Sequence, residues 1–142
     1  MAMDEWAAQN PHVQVFAQIG DGNYIPKHMR HATWLSAVEF DEKLAECSSM
    51  VAHAGTGTIL KMLLLGKPIL VMPRLAILGE TRNDHQVGTA RHFAEADLVL
   101  AADDERTLPS ILPRLAEWRP TRGISRWAQP ALIDRLNSFA ES

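Results

Sequence analysis

Residues 50–73 read Met50-Val51-Ala52-His53-Ala54-Gly55-Thr56-Gly57-Thr58-Ile59-Leu60-Lys61-Met62-Leu63-Leu64-Leu65-Gly66-Lys67-Pro68-Ile69-Leu70-Val71-Met72-Pro73. Residues 50–52 are short and apolar, as a buried strand is. Residues 53–58 form a tight turn of small side chains. Residues 59–65 continue as an apolar helix, Gly66 stands at its C-cap, and Lys67 complements the negative end of the dipole. Pro68 stops the helix, and residues 69–72 are a second buried strand. Strand, helix and strand in so few residues make a βαβ unit with parallel strands. The helix N-terminus then aims free backbone N–H groups above the sheet, where glycines let an anion approach closely. The chemistry leaves two readings open, a phosphate cradle or simply a tight βα turn. A P-loop is excluded, because no Gly-Lys-Ser/Thr follows at the required spacing, and a dinucleotide fingerprint lacks its third glycine.

The chain around this unit is ordinary in size and charge. At 142 residues, 46% apolar and 22% charged, it has the composition of one globular domain. A net charge of −3 excludes nucleic-acid binding through bulk positive charge. The single cysteine, Cys47, excludes an internal disulfide and a cysteine-rich metal site, and it is expected to pack as a small hydrophobe. Neither a membrane span nor a signal sequence is evident, so the expected location is the cytoplasm.

Outward from residues 50–73, the pattern alternates. Residues 1–10 are helical in character and end at Asn10-Pro11. Residues 12–19 alternate as a strand, residues 20–23 turn, and residues 32–38 are expected to form a strand around Trp34 and Leu35. Residues 41–48 read as a short helix with Phe40, Leu44 and Cys47 inward. After Pro73 comes a loop of about ten residues, longer than a usual βα connection, and such length is often functional. Residues 84–96 read as a helix and residues 97–102 as a strand. A further helix is expected from the acidic residues 103–105 toward Trp118, interrupted near Pro109 and Pro113. Residues 119–142 are a C-terminal linker and an amphipathic helix over 127–139. The class is α/β, a doubly wound, mostly parallel Rossmann-like sheet. The four tryptophans share no helical spacing and are expected in the core or at an interface.

Two polar stretches carry the chemistry. His53 leaves its strand at the carboxyl end, where open α/β sheets bind ligands; it either orders the turn or touches the ligand. Glu80, Thr81, Arg82, Asn83, Asp84, His85 and Gln86 supply carboxylates and amides of the kind that hydrogen-bond sugar hydroxyls. Arg74 and Arg82 can pair with phosphate oxygens. The plainer reading of residues 80–86 is a solvated loop with Asn83 or Asp84 as an N-cap. Both stretches lie at the carboxyl ends of consecutive strands and so face one cleft.

The motifs at 51–58, 65–73 and 83–86 resemble the carboxy-terminal, donor-binding domain of glycosyltransferase family 28, which includes MurG-type enzymes. Small one-domain subunits of two-chain transferases are similar: the PssE-like exopolysaccharide glycosyltransferases and the cytosolic subunit of the dolichol-pathway N-acetylglucosaminyltransferase. The run Met72-Pro73-Arg74, Leu78-Gly79-Glu80 and 82–86 is particularly similar to the exopolysaccharide group.

The resemblance implies the C-terminal half of a GT-B fold and an inverting, hexosyltransferase-type enzyme subunit that binds a UDP-sugar. It implies that Gly55, Thr56, Gly57, Thr58 and Arg74 hold the diphosphate. It places His53, Glu80, Asn83, Asp84, His85 and Gln86 near the sugar and nucleotide, with His53 the candidate catalytic residue. No metal or other cofactor is implied. The implied partner is a membrane-associated acceptor-binding subunit, which would supply the acceptor half and the general base and hold this chain at the inner membrane. Two departures stand out. Lys61 occupies the place of a glutamate expected to hold the ribose, and the chain opens in a helix where a first strand and a Gly-Thr loop are expected. The alternative implied by these departures is a non-catalytic, truncated donor domain that scaffolds a complex.

Overall fold

A computed structural model describes residues 1–75, 79 and 85–121. In order, the elements are α1 (Ala2–Gln9), β1 (Phe16–Gln18), β2 (Arg30–Ala32), α2 (Ala37–Glu46) and β3 (Met50–His53). They continue with α3 (Thr56–Leu64), β4 (Ile69–Met72), α4 (His85–Glu95), β5 (Leu100–Ala101) and α5 (Leu108–Leu115).

The βαβ unit forms as its sequence dictates. β3 and β4 run parallel, with Met50 opposite Ile69 and His53 opposite Met72. β5 joins on the far side of β4, so the order is β3-β4-β5. Ile69, Leu70 and Val71 are all at 0% exposure, because β4 is covered on both faces. Ile69 and Val71 pack into one cluster with Ile59, Met62 and Leu63 of α3 and Ala90 and Phe93 of α4. Leu70 points the other way, into a cluster with Leu108, Leu112 and Leu115 of α5, on which Met3 and Trp6 of α1 also pack. This alternation is the two-residue period of a strand buried on both sides.

The end of α3 is a Schellman motif. Gly66 has φ +65°, and its N–H reaches the Leu63 carbonyl at 3.0 Å while the Lys67 N–H reaches Met62 at 3.0 Å. Glycine is needed there because other residues resist that conformation. Lys67 itself serves a different helix from the one expected. Its ammonium donates to the Leu44 carbonyl at 2.7 Å and to that of Ala45, closing the C-terminus of α2 rather than complementing α3.

The N-terminal region is a separate two-stranded parallel sheet, with Phe16 opposite Arg30 and Gln18 opposite Ala32. The strands thus form two parallel pieces, with β1 and β3 in different sheets. α2 touches both pieces. Lys43 of α2 lies 5.3 Å from the centre of the Phe16 ring, while Leu44 sits in the core beside β4.

No helix covers the link between β1 and β2, which is instead tied to α1 by one buried carboxylate. Asp4 is 2% exposed. It accepts from the Tyr24 hydroxyl at 2.7 Å and from the Lys27 and His28 N–H groups at 2.9 and 2.7 Å. Burial pushes its pKa up, but these bonds, the Lys27 N–H first, overcome that and hold it at about 2.

Three expectations are corrected. The strand expected at 32–38 is β2, which ends at Ala32; the chain then turns and α2 begins at Ala37. The reason is a capping box: Ser36 Oγ accepts from the Glu39 N–H and Glu39 Oε2 accepts from the Ser36 N–H. Residues 103–105 do not start α5, because the Asp104 carboxylate accepts from the Arg106 and Thr107 N–H groups in a turn that precedes it. Nor is α5 interrupted, since Pro109 stands in its first turn and Pro113 is carried within it. The helix expected at 127–139 lies outside the described residues.

Candidate functional site

The carboxyl ends of β3, β4 and β5 belong to one parallel sheet and therefore open on one side. The turn after β3 brings the N-terminus of α3 there. Gly55 is the N-cap, and the Ile59 N–H bonds its carbonyl at 3.1 Å to close the first turn. Helical geometry leaves the Thr56, Gly57 and Thr58 N–H groups without intrahelical acceptors, and Gly55 has no side chain to cap them.

The folded chain leaves room for a side chain at both glycines. Neither has a positive φ, and a Cβ added to Gly55 or Gly57 would meet nothing within 4 Å. Gly57 inside a helix is up to about 1 kcal/mol less favourable than alanine. The backbone at both positions is therefore unobstructed by side chains.

Beside this turn, His53 is exposed and its Nδ1 lies 3.1 Å from the Met72 carbonyl. Arg74 is exposed, and its backbone N–H donates to Gln86 Oε1 at 3.0 Å. This bond ties the chain leaving β4 to the first turn of α4. His85 opens α4, and its carbonyl accepts from Thr89 Oγ1 at 3.0 Å. The structure therefore gathers His53, Gly55, Thr56, Gly57, Thr58, Arg74, His85 and Gln86 around the ends of β3 and β4. Glu80, Asn83 and Asp84 lie outside the described residues. Lys61 is turned away to α2, where it pairs with Asp41 at 2.6 Å and lies 5.5 Å from the centre of the Phe40 ring.

Two features were not legible beforehand. A cavity of about 240 Å³ opens where β4 and β5 end, floored by Pro73, Ala90, Ala94 and Ala101 and edged by Arg91 and Asp103. Ala90, Ala94, Ala101 and Ala102, spaced along α4 and at the end of β5, supply its small lining residues. Trp34, expected in the core or at an interface, is 61% exposed just beyond the carboxyl end of β2. Its Nε1–H donates to Asp21 Oδ1 at 2.9 Å, which fixes the ring. Among the described residues, no three His, Cys, Asp or Glu side chains are grouped to hold a metal, and no helix is long and apolar enough to cross a membrane.

A parallel sheet covered by helices on both faces, with a helix N-terminus at its carboxyl edge, defines a Rossmann-like domain. The family model for the glycosyltransferase family 28 C-terminal domain matches residues 2–117, and the chain belongs to that family. Among solved structures, the glycotransferase of kitacinnamycin superposes with a TM-score of 0.60 at 21% identity, over 99% of this chain and 33% of that one. The spinosyn forosaminyltransferase SpnP gives a TM-score of 0.49 at 17% identity, over 99% of this chain and 39% of that one. The chain thus spans less than two fifths of these solved proteins. Its fold is the Rossmann-like, C-terminal half of a GT-B glycosyltransferase.

Proposed function

We propose that the chain is the nucleotide-sugar-binding subunit of a UDP-sugar-dependent, inverting glycosyltransferase of the hexosyltransferase type. It works in polysaccharide or lipid-linked glycan assembly, in the exopolysaccharide manner, with a membrane-associated partner that binds the acceptor. The observation that carries this reading is the α3 N-terminus, with two glycines at which the folded chain leaves room for a side chain, in a chain of the family 28 C-terminal type. The Thr56, Gly57 and Thr58 N–H groups hold the diphosphate, aided by the Arg74 side chain. They stabilise the negative charge that grows on the leaving diphosphate in the transition state. His53, His85 and Gln86, with Glu80, Asn83 and Asp84, bind the sugar and nucleotide. The partner supplies the acceptor and its general base and holds this cytoplasmic chain at the membrane, so the chain alone transfers no sugar.

Calorimetric titration with UDP, UDP-glucose and UDP-N-acetylglucosamine tests the reading. Saturable one-site binding is expected with UDP. Absence of heat with all three at millimolar concentration overturns it. A scaffold without donor binding is the second reading, favoured by Lys61 being committed to Asp41 rather than to the site. It requires that Gly57→Ala leave sugar transfer by the assembled complex intact, whereas the donor-subunit reading requires transfer to fall.

A further inference from the structure

β5 has the composition of an interior strand but stands at the edge of its sheet. Residues 98–102 are apolar without a break, as in a parallel strand covered on both faces. Val99 belongs to the cluster with α3 and α4, and Leu100 to the cluster with α5. Among the described residues, no strand lies on the side of β5 away from β4. Leu100 and Ala101 stand opposite Leu70 and Val71, and the Ala102 N–H donates to the Val71 carbonyl at 2.9 Å. In this register the Leu100 and Ala102 N–H groups point to β4. The N–H and C=O of a trans peptide point in opposite directions, so the Val99 and Ala101 carbonyls and the Ala101 N–H face the open edge. Such an edge is a template for a further strand.

The chain itself arrives at the start of this edge. After α5 it returns to Asp97, whose carbonyl accepts from the Thr121 N–H at 3.2 Å. Carbonyls 97, 99 and 101 are two residues apart, as are the N–H groups of 121, 123 and 125. Keeping step from the Thr121 bond sets Arg122, Gly123, Ile124, Ser125 and Arg126 opposite Val99, Leu100, Ala101, Ala102 and Asp103. Residues opposite one another share a face. Ala101 lines the cavity between α4 and β5 together with Ala90 and Ala94, so Ile124 falls on that cavity. The cavity's edge carries Glu95 and Asp103 against one cation, Arg91, and residues 122–126 bring two arginines and no acid.

We propose that residues 122–126 dock on the open edge of β5 as an added parallel strand and fill the cavity with Ile124. The occupant is a segment of this same chain, already tied down at Thr121, so no association cost opposes its docking. Five residues at about 3.3 Å each carry the chain from the amino to the carboxyl edge of the sheet. Residue 127 then emerges on the side where the candidate site opens. The proposal is independent of the nucleotide-sugar reading above.

NMR on the full chain tests it twice. Nuclear Overhauser contacts from the Ile124 methyls to those of Ala90 and Ala94 are expected, and their absence overturns the proposal. The second readout uses the alternation of the added strand. Its Gly123 and Ser125 N–H groups donate to Val99 and Ala101, whereas those of Ile124 and Arg126 face away. Ser125→Pro deletes a ladder bond and should speed hydrogen exchange at the Ala101 amide about tenfold. Arg126→Pro deletes only an outward N–H and should change that exchange less than about twofold. Both variants lie outside the sheet and helices described above, so the fold is retained as a background. Equal exchange in the two variants, fast or slow, overturns the proposal.

Discussion

Ile69, Leu70 and Val71 of β4 are wholly buried, whereas Phe16 and Gln18 of β1 and Arg30 and His31 of β2 are exposed. Both regions are parallel sheets, and a parallel sheet is ordinarily covered on both faces. β4 meets that requirement with two apolar clusters. The β1–β2 pair lacks a crossover helix and relies on polar contacts, chiefly Asp4 with Tyr24, Lys27 and His28. One region is held by burial. The other is held by an ionised carboxylate. The candidate site stands on the first, at the end of its packed strands.

This contrast sets a series of expected outcomes. Leu70→Ala removes a wholly buried side chain where the sheet meets α5 and should cost about 2–5 kcal/mol in urea unfolding. Phe16→Ala in the exposed pair should cost well under half of that; equal losses would mean that both regions share one core. Acid should loosen the N-terminal region first. Asp4 has its folded pKa lowered to about 2, below the ordinary carboxylate value of about 3.9. A depressed carboxylate contributes stability that is fully present above the unfolded value and is lost as pH falls through the folded one. The contribution of Asp4 should therefore fade between about pH 4 and pH 2, and Asp4→Asn should flatten that acid transition as followed by the Tyr24 NMR signals. Gly57→Ala should raise stability by up to about 1 kcal/mol, since the new Cβ meets open space. The smallest effect is expected at the Lys61–Asp41 pair, whose side chains are 49% and 60% exposed. Lys61→Ala should change unfolding by less than about 1 kcal/mol and should vanish into the baseline at high salt.

The central βαβ unit could be read from sequence because apolar runs, glycine and proline all agreed there. Gly66 and Pro68 bounded α3, and β4 was apolar at every position, as burial on both faces demands. The polar termini of β3 and β4 were legible for the same reason, since a strand end names its own loop. The stretch at 30–40 was misread because Trp34 and Leu35 have strand character, whereas the Ser36 and Glu39 capping box was decided by side-chain bonds to backbone. That box is a sequence signal, Ser-x-x-Glu, and would have moved the helix start to its observed place. The role of Asp4 was not legible at all. Its partners lie twenty or more residues away in a segment without periodicity, so only the folded chain brings them together. Lys61 and Lys67 likewise found partners on α2 that no local pattern announces.

Gly57→Ala sets the needs of the fold against those of the site. Its thermal midpoint and its affinity for UDP, measured on the same preparation, are expected to move in opposite directions. The midpoint rises or holds, while UDP binding weakens about tenfold or more, because the Cβ occupies the approach to the Thr56, Gly57 and Thr58 N–H groups. Binding equal to that of wild type would contradict diphosphate capture at the α3 N-terminus.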